Sequence, residues 1–290
     1  MRDDFCAFIL THGRPDKVIT YDTLMRSGYT GKVFIVIDDE DNTADAYRAK
    51  FGDRVLQFSK AEVAKTFDEG DNFGDRRAII YARNACFDLA RQVGCRYFIE
   101  LDDDYYDFQY RHARDGYYGT MTKATLDACL ESMVDFLAAS GATTVAMSQG
   151  GDHIGGSSNS NNRDVGLKRK AMNSFVFSAD HPFRFFGRVN EDVNAYTTVS
   201  RRGGVFFTLM QVQLDQLTTQ TNTGGMTAMY LDSGTYVKSF YSVMYCPSAV
   251  TVGVMRDPRT TRGRMHHDIK WRNAAVQILH ERHRKPGATP

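Results

Sequence analysis

Paired cysteines are missing from this 290-residue sequence: Cys6, Cys86, Cys95, Cys129 and Cys246 are five, scattered, and never in a CxxC pair. That spacing excludes a disulfide framework and a cysteine-built zinc site, and fits reduced thiols. Residues 1–30 hold no signal-peptide core, and no apolar run approaches the length that spans a bilayer. The expectation is a soluble, cytoplasmic protein with no membrane partner. An excess of one charge is lacking too. Lys and Arg number 36 against 35 Asp and Glu, a formal net charge of +1, so any nucleic-acid affinity must come from local patches. With 42% apolar and 24% charged residues, the chain is ordinary for a globular protein and long enough for a large core.

What is present is a regular alternation. "FCAFIL" (5–10) predicts a strand, broken by "THGRP", and "DKVITYDTLMRSG" predicts a helix stopped by Gly28. "KVFIVI" (32–37) is a second strand, "TADAYRAKFG" a helix, and "RVLQFS" (54–59) a third strand. "DRRAIIYARNACFDLARQVG" places Ala78, Ala82, Ala85, Cys86, Leu89 and Val93 on one helical face, and the strand "RYFIEL" (96–101) follows. Apolar strands separated by helices predict βαβ units and a mostly parallel sheet, with ligands at the carboxyl ends of the strands.

The second half reads less regularly. A helix is predicted over 122–140, with strands over 143–148, 171–178 and 203–214, while 235–247 is ambiguous in type. The glycine-rich "QGGDHIGGSSNSNNRD" (149–164) predicts a mobile insert. With no repeat and no long linker, the expected organisation is a single domain over 1–290, divided into halves at 1–120 and 121–290.

"YFIELDDDYYDF" (97–108) ends an apolar strand in three aspartates. If the period of two persists, Asp102 and Asp104 project to one side. Two carboxylates converging there suit a hard divalent cation, Mg²⁺ or Mn²⁺, whose remaining ligands come from phosphates. The same triplet also fits a solvated acidic turn. Its place at a βα carboxyl end favours the metal–phosphate reading.

"ARNACFDLARQVGCRYFIELDDD" (82–104) resembles the helix–strand–DxD segment of GT-A glycosyltransferases. "ILTHGRPDKVITYDTLMRSGY" (9–29) resembles their opening loop and first helix, and "VFIVIDDED" (33–41) their second strand. "KAMNSFVFSADHPFRFFGRVNEDVNAYT", "TNTGGMTAMYLDSGTYVKSFYSVMY" and "HHDIKWRN" resemble the phage TET-associated glycosyltransferases. The resemblance implies an α/β GT-A fold, a Rossmann-like mixed sheet flanked by helices, with an acceptor-binding second half. It also implies transfer of a sugar from a UDP-sugar to 5-hydroxymethylcytosine, or another hydroxymethylpyrimidine, in double-stranded DNA, in the host cytoplasm if the chain is viral.

The same resemblance implies the roles. Asp102 and Asp104 hold the cation, with His266 or His267 as a further ligand. Thr11, His12 and Arg14 line the base and ribose, and Asp38 or Asp39 meets the uracil N3–H. Arg83 and Lys270 approach the diphosphate. In "NEDVN" (190–194), Asp192 beside Glu191 is the candidate general base, although Asn-Glu-Asp is also a plain helix-start signal. Basic clusters at 163–170 and 256–285 are the expected DNA contacts. "GGMT" (224–227) fits close backbone approach to a substrate or a simple turn. Competing readings are transfer to a protein or glycan, a sugar-nucleotide nucleotidyltransferase, whose glycine-rich signature "THGRPDK" lacks, and a non-catalytic scaffold.

Overall fold

The computed structural model describes residues 1–114, 117–153, 167–168, 170–217, 237–256 and 263–274. Most of the expected 149–164 insert, the basic stretch 163–166, "GGMT" and the tail beyond 274 lie outside these residues.

Four strands form a parallel block of one large sheet: β1 (Phe5–Leu10), β2 (Lys32–Asp38), β3 (Val55–Phe58) and β4 (Tyr97–Asp102), in the order β3-β2-β1-β4. Helices α1 (Ile19–Arg26), α2 (Ala44–Phe51), α3 (Lys60–Ala64) and α4 (Ile80–Gln92) connect them. Beyond β4 the sheet changes character. An edge hairpin, β5 (Tyr105–Arg114) and β6 (Tyr117–Lys123), precedes α5 (Leu126–Ser140), β7 (Thr144–Gln149), the short β8 (Leu167–Lys168), β9 (Ser174–Ser178), α6 (Glu191–Arg201) and β10 (Phe206–Gln216). The order continues β4-β9-β7-β10-β5-β6, with β9 antiparallel to both neighbours and β5 antiparallel to β10. The sheet is mixed, as the resemblance implies: the first-half strands run parallel, and β9 fills the edge of β4 from the opposite direction, a pairing set by contacts distant in sequence. Residues 237–245 are helical (α7), which resolves the ambiguous segment. A separate ribbon, β11 (Val250–Arg256) with β12 (Gly263–Ile269), leads to the short α8 (Trp271–Ala274).

β1 shows why the sheet is central. Phe5, Ala7 and Ile9 enter one apolar cluster with Leu24, Tyr47 and Leu130, while Cys6, Phe8 and Leu10 enter the other with Cys86, Phe87 and Phe98. A strand buried on both faces needs no polar alternation. α4 is likewise buried around most of its circumference, not on the single expected face, because Phe87 packs on Phe98 and Phe177 below and Phe183 beside it. Among the described residues no helix is long and apolar enough to cross a membrane.

Candidate active site

The carboxyl ends of β2, β1 and β4 lie side by side, with Leu10 in register with Asp102 and with Val36. The period of two then decides what each acid meets. Along β4, Phe98, Glu100 and Asp102 share the face toward α4, and Tyr97, Ile99 and Leu101 share the face toward α1 and α5. Asp103 continues the second face. It is buried, its Oδ2 accepts a 2.6 Å hydrogen bond from Thr11 Oγ1, and its Oδ1 pairs with Arg14 Nη2 at 2.9 Å. Asp102 and Asp104 remain partly exposed. The turn itself is clamped by α1: Thr20 N donates to Asp103 O, and Thr20 Oγ1 donates to Asp102 O at 2.6 Å.

This end of the sheet carries more negative charge than it neutralises. Burial raises Asp104 to about 7, with the charges of Asp102 and Asp103 adding to it. Burial also raises Asp103 to about 6 against the pull of Arg14, and raises Asp102 against the pull of Arg83. Asp104 Oδ1 is buried with no hydrogen-bond partner among the described residues. An orphaned carboxylate oxygen beside two further carboxyl groups costs free energy until a cation or a donor reaches it. The residues present therefore fit a hard divalent cation, held by Asp102 and Asp104.

Arg83, expected near the diphosphate, is buried in the interior. It is 1% exposed and lies 4.8 Å over the Phe175 ring. Its Nε meets Glu191 Oε1 at 3.0 Å, Nη2 meets Asp102 Oδ1 at 3.3 Å, and Nη1 lies 3.6 Å from Glu100 Oε2. Glu100, the lone acid inside the apolar run "YFIEL", was the one sequence signal of such a partner. Burial pushes Glu191 to about 7 despite Arg83, with Asp192 adding to the rise. Asp192, partly exposed at the first turn of α6, is close enough for its charge to raise Asp102. The strand-end acids and the first turn of α6 are thus electrostatic neighbours.

The β2 end is built differently. Asp38 is buried, with Oδ2 at 2.7 Å from His12 Nδ1 and Oδ1 at 3.1 Å from Lys60 Nζ. Burial opposes its ionisation, but His12 and Lys60 outweigh it and hold the carboxyl below its ordinary range. Asp39 is exposed and accepts from Lys60 N. Thr11 and Arg14 share Tyr47: its hydroxyl lies 2.8 Å from Thr11 Oγ1 and accepts from Arg14 N. Lys60 and Tyr47 were missed in the sequence, since neither stands in a motif and both arrive from other elements.

The later of the two histidines lies beside the start of α6. Among the described residues no three His, Cys, Asp or Glu side chains are grouped to hold a metal ion. His267 Nδ1 lies 3.4 Å from Asn190 Nδ2, and burial, with the charges of His266, Lys238 and Lys170, drives its pKa down to about 3. His266 Nδ1 is 2.6 Å from the His267 carbonyl oxygen. Lys270 is exposed, its backbone N bonded to Ala249 O. Asn190 at the start of α6 has φ +57° and makes no side-chain cap; its Nδ2 reaches Lys238 O and Ser242 Oγ instead. Positive φ in a non-glycine residue is costly and is held here by those bonds.

A cluster of strand-end acids beside a helix-borne carboxylate is a donor set that suits a hard divalent cation. The family model of the TET-associated glycosyltransferases matches residues 5–225, so the chain belongs to that family. No curated protein matched the sequence. Among solved structures it is similar to a mycobacterial protein, at 9% identity and TM-score 0.47, over 90% of this chain and 82% of that one. It is also similar to Mycobacterium tuberculosis glucosyl-3-phosphoglycerate synthase in complex with Mg²⁺ and UDP, at 11% identity and TM-score 0.45, over 91% and 87%. Staphylococcus aureus TarS, residues 1–349, follows at 11% identity and TM-score 0.37, over 72% and 59%. Likenesses this distant assign no residue roles.

Proposed function

We propose that this glycosyltransferase moves a sugar from a UDP-sugar to a hydroxymethylated pyrimidine of double-stranded DNA, using Mn²⁺ or Mg²⁺ held by Asp102 and Asp104. The orphaned, half-buried carboxylate at Asp104, crowded by Asp102 and Asp103, carries the reading. The cation, when bound, neutralises the diphosphate as it leaves. Asp103 takes no part in that contact, because Thr11 and Arg14 already bind both of its oxygens; it holds the turn instead. Asp38, pinned by His12 and Lys60, offers a fixed acceptor for a base N–H, with His12 exposed beside it.

Asp192 takes the proton from the acceptor hydroxyl, a task suited to a partly exposed carboxylate at a helix start. Glu191 stays on Arg83 and only orients its neighbour. The test is to incubate the protein with each UDP-sugar and a 5-hydroxymethylcytosine duplex, digest to nucleosides, and weigh them. A sugar-sized mass increase supports the reading. No increase with any donor, together with transfer to a protein or glycan, refutes the DNA acceptor.

A further inference from the structure

We propose that Arg83 is a positioning residue that fixes the distance between the donor-binding end of β4 and the acceptor-facing start of α6. The proposal rests on the roles of Asp102 and Asp192 given above. One guanidinium holds both elements, through Asp102 Oδ1 at 3.3 Å and Glu191 Oε1 at 3.0 Å. Glu191 immediately precedes Asp192, so the grip on Glu191 sets where the candidate base stands.

A second observation points the same way. The helix start has no side-chain cap to fix it, because Asn190 turns its amide away to Lys238 O. The fork itself is enclosed. It is buried, it faces Phe175, and its third arm lies 3.6 Å from Glu100. Planar geometry is what the position demands: an ammonium on a flexible stem keeps the charge but cannot hold several acceptors in one plane. Direct service to the diphosphate is a poorer fit, since a phosphate reaching Arg83 has to displace Asp102.

The test is a double-substitution cycle on Arg83→Lys, Glu191→Gln and the pair. The readouts are Mn²⁺·UDP affinity by calorimetry, thermal midpoint, and turnover. Arg83→Lys is expected to weaken Mn²⁺·UDP binding and turnover about tenfold or more, as loss of an outer-shell partner does at metal sites. Glu191→Gln is expected to lower turnover while Mn²⁺·UDP affinity stays within about twofold, because the donor arm is intact. Added to Arg83→Lys, it should lower turnover no further. Effects that multiply independently, or an Arg83→Lys protein unchanged in both readouts, overturn the tether. Should Arg83→Lys fail to fold, Glu191→Asp, which keeps the charge but withdraws the carboxylate, carries the test. Reduced turnover at unchanged donor affinity supports the tether, and unchanged turnover overturns it. Absence of Mn²⁺·UDP binding to the unsubstituted protein refutes the donor reading and the tether together. Normal binding with the wrong interdependence refutes the tether alone.

Discussion

Two strand ends in one sheet, with β1 between them, treat buried carboxylates in opposite ways. At β2, Asp38 is matched by Lys60 and His12, and its carboxyl titrates below the ordinary range. At β4, Glu100, Asp102, Asp103, Asp104, Glu191 and Asp192 share the guanidinium groups of Arg14 and Arg83, and Asp104 is raised to about 7. A balanced site is finished as folded and can only present its polar edge to a neutral group such as a base. An unbalanced site stores repulsion that a cation relieves. The contrast is one of neutralisation: the β2 end carries its counter-charges, and the β4 end carries too few.

The sharpest way to break that contrast is to remove the surplus. Asp104→Ala should cut sugar transfer by about a hundredfold or more, a loss of the size seen when one charge-stabilising group is removed from an active site. Its fold should survive, and circular dichroism with a transfer assay checks both. Metal-free Asp104→Asn should gain about 1 kcal/mol of stability at pH 8, since an amide removes the repulsion without adding charge. Denaturant titration measures it.

Next in size, Asp192→Asn should lower kcat by about a hundredfold, the range for a lost general base, with little change in Mn²⁺·UDP affinity. A matching loss of donor affinity would move Asp192 to the donor side.

Asp38→Asn sharpens the other half of the comparison. A carboxyl with a depressed folded pKa contributes stability above its unfolded pKa and loses it as pH falls through the folded one. The substitution should therefore cost about 1 kcal/mol near pH 7 and nothing once the pH drops well below about 4. Stability curves of both proteins from pH 2 to 8 test the sign. Thr11→Val should have a mild effect, about 1 kcal/mol, from the lost bonds to Asp103 and Tyr47.

The sequence shows the β2 and β4 ends for different reasons. Strands 5–10, 32–37 and 96–101 were legible because each is a short apolar run between turn signals, and a strand buried on both faces leaves that pattern. Asp103 is buried between the partly exposed Asp102 and Asp104, but β4 ends at Asp102 and the next two residues are a turn, so the period of two reaches only the first of the three acids. The β5–β6 hairpin was not legible: "YYDFQYRHAR" mixes aromatic and charged residues, and its pairing with β10 comes from far along the chain. Nor were the partners of the acids. Arg83 sits in a run that reads as an ordinary helix, and Tyr47 and Lys60 carry no motif. Side chains that converge from separate elements are fixed by packing, which local spacing does not encode.

Calorimetric titration of UDP, with Mn²⁺ and then with the metal chelated, bears most directly on the unneutralised charge at the end of β4. The account predicts binding that needs Mn²⁺ in the unsubstituted protein and disappears in Asp104→Asn. Equal affinity in all three cases would contradict it.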